Sequence, residues 1–246
     1  MSRILWINPL GTSVFDATIR AELEHVKRPD TELEVRSLQR GPHHLEYHAY
    51  EAWVTPDVLT SVAQADREGF DAAIIGCFYD TGLRAAREVA TRVAVAAPCE
   101  SALHIASTLG DSFSVIVGRR KWVPEMRDNV TRYGYRERLA SFKVVELGVH
   151  DFQADPDRTR DRLTTAGEEA VAKAGAEVVV LGWTADEGSF ATVQRLIGSA
   201  AVGDPAGPGT RPLGGWGIIS PRWAKSGAGG YHFGSVWPLF TGWASV

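Results

Sequence analysis

Residues 72–84, AAIIGCFYDTGLR, decide how this chain is read. Ala72 to Ile75 form an apolar run with the length and character of a buried strand. Gly76-Cys77 interrupts it, and Leu83, Ala86 and Val89 then recur at helical spacing. Asp80 or Thr81 is placed to cap that helix. Strand, tight turn and helix make the repeating unit of a parallel α/β sheet, whose ligands sit at the carboxyl ends of the strands. A thiol stands in this turn. Residues 176–188, AEVVVLGWTADEG, repeat the device: apolar strand, glycine, one unusual residue, then small polar residues. Trp183 holds in the second copy the place that Cys77 holds in the first.

Outward from these two turns, short apolar strands alternate with amphipathic helices. Strands are expected at 4–7, 33–38, 93–97, 113–117, 142–147 and 178–182. Helices are expected at 14–26, from Pro56 behind a Thr55 cap, at 123–133, and from Asp155-Pro156 to about 174. The alternation implies right-handed crossovers and parallel sheets. The expected fold class is α/β: two similar Rossmann-like lobes with parallel sheets and an active-site cleft between them. Residues 1–97 would form the first lobe and 98–202 the second. Residues 203–246 are set apart as an atypical tail rich in Gly, Pro and Trp, without a helical or strand period of useful length. Four of the eight tryptophans fall in the last 31 residues.

Bulk composition excludes several classes. The chain has 246 residues, 44% hydrophobic and 23% charged, enough for a core in each of two lobes. A net charge of −4 gives no basic field for nucleic acid or an anionic membrane, so neither partner is expected. The one basic cluster, Arg119-Arg120-Lys121, reads as a solvated loop and helix start. Two cysteines make no disulfide framework, and no His/Cys spacing suits zinc, so no metal is expected. No run approaches the ~18 apolar residues of a membrane span. A reducing cytoplasm is the expected compartment.

Six segments in order then carry a resemblance: INPLGTS (7–13), RGPHHLEYHAYEA (40–52), IIGCFYDTGLRAARE (74–88), PCESALHIASTLGDSFSVIV (98–117), VPEMRDNVTRYG (123–134) and GAEVVVLGWT (175–184). Over roughly residues 3–200 the chain resembles the aspartate/glutamate/hydantoin racemase superfamily, closest to its hydantoin-racemase branch. The resemblance implies an enzyme without metal or pyridoxal cofactor, acting on a small molecule. One cysteine from each lobe flanks the substrate carbon, one thiolate removing a proton and the other thiol delivering one to the opposite face. A thiol at a helix N-terminus is expected to have a lowered pKa. A homo-oligomer is expected.

Carried over residue by residue, Cys77 is the catalytic thiol of the first lobe. Asn8, Phe78, Glu100, Trp183 and Thr184 become the expected substrate-binding positions. The departure lies at Trp183, where the family places its second cysteine. An indole cannot serve as acid or base near neutrality, so two-thiol racemization is lost at this position. Three residues are weighed as auxiliary acid or base. His44, in a loop, could reach Cys77. Cys99 could approach the same cleft, although burial as a small packing residue describes most such cysteines. His104 fits equally a satisfied histidine of the core.

Three function classes follow. The first is a racemase-superfamily isomerase using the single thiol Cys77 on a substrate with an acidic carbon or an activated carbonyl. The second is a Cys77-nucleophile hydrolase of activated esters, amides or phosphoesters. The third covers a decarboxylase-like lyase or an inactive ligand-binding homologue. The last residues, GGYHFGSVWPLFTGWASV, resemble a piece of a glycogen-debranching type glycosidase. About 30 residues cannot build that fold's core, so no sugar chemistry is expected of them.

Overall fold

The computed structural model describes residues 2–184 and 218–219. The chain divides into two compact units, one running to Cys99 and one beginning at Glu100. The first holds β1 (Ser2–Asn8), α1 (Asp16–Val26), β2 (Thr31–Ser37), α2 (His48–Arg67), β3 (Ala72–Ile75), α3 (Leu83–Val89) and β4 (Ala94–Ala96). Its strands pair in parallel in the order β2-β1-β3-β4. The central strands are apolar on both faces, as a sheet covered on both sides requires. Leu5, Ile7, Ala73 and Ile75 pack with Val54, Val58 and Val62 of α2, all buried.

The second unit follows the same plan. α4 (Pro98–Leu109) leads into β5 (Phe113–Val117), α5 (Val123–Arg132), β6 (Leu139–Val144), α6 (Asp151–Ala154), α7 (Pro156–Ala172), β7 (Val178–Leu181) and β8 (Ile218–Ile219). The order is β6-β5-β7-β8, strand for strand that of the first unit. β5 pairs in parallel with β6 and β7, while β8 is antiparallel to β7, Val179 opposite Ile219. β8, two residues long, falls within the stretch set apart as the tail. The rest of 203–246, the proposed glycosidase likeness included, lies outside the described residues.

Three local expectations are corrected. Pro56 does not open a helix; it lies inside α2, which begins eight residues earlier, after an extended Tyr47. The apolar row Val54, Val58 and Val62 carries the helix through the proline, which sits on the exposed side. Thr55 is likewise interior, its hydroxyl donating to the Glu51 carbonyl at 2.8 Å. β6 begins and ends three residues before the expected strand, because Glu146 takes a positive φ of 53° and breaks the extended run. Pairing continues around that break, since the Val145 and Leu147 N–H groups still reach Val117 and Gly118 carbonyls, each at 3.0 Å. Asp155, by contrast, accepts from Arg158 N–H and opens α7 as its spacing predicts.

Among the described residues, no helix is long and apolar enough to cross a membrane.

Candidate functional site

The two turns are built alike. Gly76 N–H donates to the Ile7 carbonyl at 2.8 Å, and Gly182 N–H donates to the Ile116 carbonyl at 2.8 Å. Each bond extends a central strand pair by one rung and delivers the next residue, Cys77 or Trp183, at the sheet's carboxyl edge. Glycine is required in the first case because a Cβ on Gly76 would overlap the Trp6 indole.

After Gly76 the chain makes two successive turns. Cys77 N–H bonds back to Ile75 O at 2.9 Å, Asp80 N–H to Cys77 O at 2.9 Å, and Leu83 N–H to Asp80 O at 3.0 Å. Phe78, Tyr79, Asp80 and Thr81 are all buried, whereas Cys77 is half-buried and packs against the apolar core of the first unit. Cys77 therefore stands two turns ahead of α3, a helix of seven residues, rather than directly at its N-terminus.

Asp80 is a cap, but of a different helix. Its backbone has a positive φ of 55°, and α3 instead begins behind Gly82 with no side-chain cap. The Asp80 carboxylate accepts the Cys99 N–H at 2.8 Å, in the first turn of α4. An acid there satisfies one of the four unpaired amides of a helix start. Thr81 lies beside it, fully enclosed, with a hydroxyl that makes no hydrogen bond.

The other expected positions fall as follows. Asn8 ends β1, buried, and its amide donates to Ser37 Oγ at 2.8 Å and Asp16 Oδ1 at 3.2 Å. Ser37 Oγ itself lies 2.6 Å from Asp16 Oδ1 and 2.8 Å from Thr12 O. The Asn8 amide thus ties the ends of β1 and β2 to the start of α1. Phe78 is buried. Glu100 is half-buried in the first turn of α4. Cys99 is fully buried among packed side chains.

Neither auxiliary histidine is in the core. His44 Nδ1 accepts from the Glu46 N–H at 3.3 Å, and its ring packs against Tyr47 and Tyr50, with Trp53 beyond. His104 is exposed on α4, its Nδ1 3.1 Å from the Tyr135 hydroxyl.

Trp183 is half-buried and stacks on Phe152, the ring centroids 4.6 Å apart and the planes at 23°. Sequence reasoning missed Phe152, since nothing in its spacing ties it to a residue 31 positions away. Thr184 follows, half-buried. Arg119 of the basic cluster pairs with Asp151 at 3.3 Å, and Asp151 also accepts the Gly148 N–H. These contacts hold the Asp151 carboxyl below the usual carboxylate range, the Gly148 bond contributing most.

A repeated βαβ plan, with a thiol at one strand end and the motif order already described, points to one family. The Asp/Glu/Hydantoin racemase family matches residues 4–202. The chain belongs to this family. It is 35% identical over 196 residues to the hydantoin racemase of Rhizobium meliloti, covering 80% of this chain and 81% of that protein. Among solved structures it is similar to the allantoin racemase of Pseudomonas fluorescens, with a TM-score of 0.71 and 26% identity over 80% of this chain and 81% of that one. The allantoin racemase of Klebsiella pneumoniae superposes with a TM-score of 0.69 and 27% identity, covering 81% and 79%. The α/β architecture with parallel sheets is thus the racemase fold of its relatives.

Proposed function

We propose that this chain is a cofactor-independent proton-transfer enzyme of the racemase family, with Cys77 as its thiol base and a small cyclic ureide as its substrate. The observation that carries the reading is Cys77 itself, a half-buried thiol in an otherwise buried turn, at the carboxyl end of a central parallel strand. The relatives' names supply the substrate class. Hydantoin and allantoin are both five-membered ureides with a C–H next to a ring carbonyl.

The chemistry needs little beyond the thiol. Cys77 thiolate takes the proton from that carbon, and the negative charge moves onto the neighbouring carbonyl oxygen as an enolate. The thiol then returns a proton to carbon and is a thiolate again. Return to the same face restores the configuration, whereas inversion needs a proton donor on the other face. Trp183, at the equivalent turn of the second unit, supplies none. Isotope exchange with retention should therefore outrun racemization. Glu100 and Thr184 are assigned to the polar edge of the ureide, since a carboxylate or hydroxyl oxygen accepts its N–H groups.

The test is exchange of the ring C–H of one enantiomer of 5-methylhydantoin in deuterium oxide, followed by NMR and chiral chromatography. The wild-type protein should exchange the proton faster than it inverts the centre. Cys77→Ser should slow exchange by about 10²–10⁴-fold, the usual range for a lost acid–base group. Exchange no faster than in buffer would sink this reading.

A further inference from the structure

A cleft between β6 and α7 is lined wholly by residues of the second unit, none of them used in the proton transfer. Its volume of about 320 Å³ suits a small ligand, since small-molecule sites run from about 300 to 1,000 Å³. Val144, Val145 and Ala166 give it an apolar lining. Its charges are not all matched. Arg162 Nη1 donates to the Val145 carbonyl at 2.6 Å and to the Glu146 carbonyl at 3.3 Å. These two bonds hold the guanidinium and leave the fork of Nε and Nη2, to which no carboxylate is paired among the described residues. The Glu146 carboxylate lines the same cleft and is paired with no cation among the described residues, Arg162 included. The remaining charges are answered within the fold: Glu169 lies 2.9 Å from Lys173 and 3.7 Å from Lys143, and Asp161 lies 3.8 Å from Arg160.

We propose that this cleft binds a small zwitterion with an apolar side chain, an α-amino acid. An unmatched cation and an unmatched anion in one cleft suit a ligand that carries both charges; a ligand with one charge satisfies half of the site. The open fork of Arg162 takes the carboxylate through two parallel N–H···O bonds, the arrangement a guanidinium favours. Glu146 accepts the ammonium N–H groups, and the apolar lining receives the aliphatic side chain. Arg162 is already held by two carbonyls, so little of its rotamer freedom is lost on binding. The site does not depend on the carbon-acid reading above.

The experiment is calorimetric titration of the full chain with L-valine, with 3-methylbutanoate, which lacks the ammonium group, and with 2-methylpropan-1-amine, which lacks the carboxylate. Wild type should bind valine at least about tenfold more tightly than either analogue, the scale of one lost charge-assisted contact. Glu146→Gln and Arg162→Gln should each weaken valine binding by about five- to tenfold. Glu146→Gln should leave the binding of 3-methylbutanoate as it was. Arg162→Gln also gives up two backbone contacts; Glu146 is exposed, and its amide variant keeps them, so it carries the test if the arginine variant fails to fold. Cys77→Ser should bind valine as wild type does. Absence of valine binding, binding no tighter than that of the single-charge analogues, or binding unchanged in Glu146→Gln overturns the proposal. Loss of binding in Cys77→Ser puts the amino acid at the thiol instead and overturns it too. Ring-proton exchange by Cys77 is measured separately, so failure of this site leaves the carbon-acid chemistry standing.

Discussion

Cys77 and Cys99 stand 22 residues apart in one chain, and their surroundings give them different chemistry. Cys77 is partly open to solvent, whereas Cys99 is enclosed with its N–H held by Asp80. Iodoacetamide at neutral pH should alkylate Cys77 and leave Cys99 unmodified until the protein unfolds, as peptide mass spectrometry would show. Faster modification of Cys99 would contradict its burial. Thr81 makes a second case at this scale. An enclosed hydroxyl without a partner costs about 1–3 kcal/mol, and valine has nearly the same shape without the oxygen. Thr81→Val should therefore leave stability unchanged or raise it by about 1 kcal/mol in urea unfolding, contrary to the usual loss for a buried substitution.

At the scale of elements, Asp66 ties the end of α2 to the turn before β4. Its carboxylate accepts the Thr91 hydroxyl and the N–H groups of Arg92 at 2.8 Å and Val93 at 2.7 Å. The Thr91 hydroxyl first, then these amides, hold its pKa down to about 2. A depressed carboxylate stabilises the fold at pH values above its unfolded pKa of roughly 3.9, and that contribution disappears as pH falls towards 2. Asp66→Asn should thus be less stable than wild type at pH 7, with the two urea midpoints converging between pH 4 and pH 2. A constant difference across that range would mean the carboxylate's charge is not what matters. Elements also mark where sequence reading succeeds. Asp155-Pro156 opened α7 because a helix start needs only local groups. Pro56 misled because an apolar face shared with the sheet outweighs one missing N–H. Asp80 misled because its partner lies on the next helix, 19 residues on.

At the scale of the whole molecule, two units of one strand order present two equivalent turns, one bearing a thiol and the other an indole. Trp183→Cys would put a thiol at both. Racemization of an enantiopure 5-substituted hydantoin should then appear above the level of Trp183→Ala, which enlarges the space without adding an acid or base. Equal rates in the two variants would mean that Trp183 does not occupy the place of a second proton donor.

The sequence by itself determined the α/β class, the alternation of strands and helices, and the turn with Cys77. Apolar runs, glycine interruptions and helical spacing are local signals, carried by residues a few positions apart. The repeat was legible too, because two turns of like pattern stand about one hundred residues apart in plain view. Tertiary structure alone decided the contacts of the candidate site. Phe152 came to lie under Trp183, the Asn8 amide was taken up by Ser37 and Asp16, and Asp80 turned to the Cys99 amide. Each of these joins residues from separate elements, and their meeting depends on how whole strands and helices pack. No short-range pattern encodes that, because the free energy that brings them together is spread over the core rather than held in the pair.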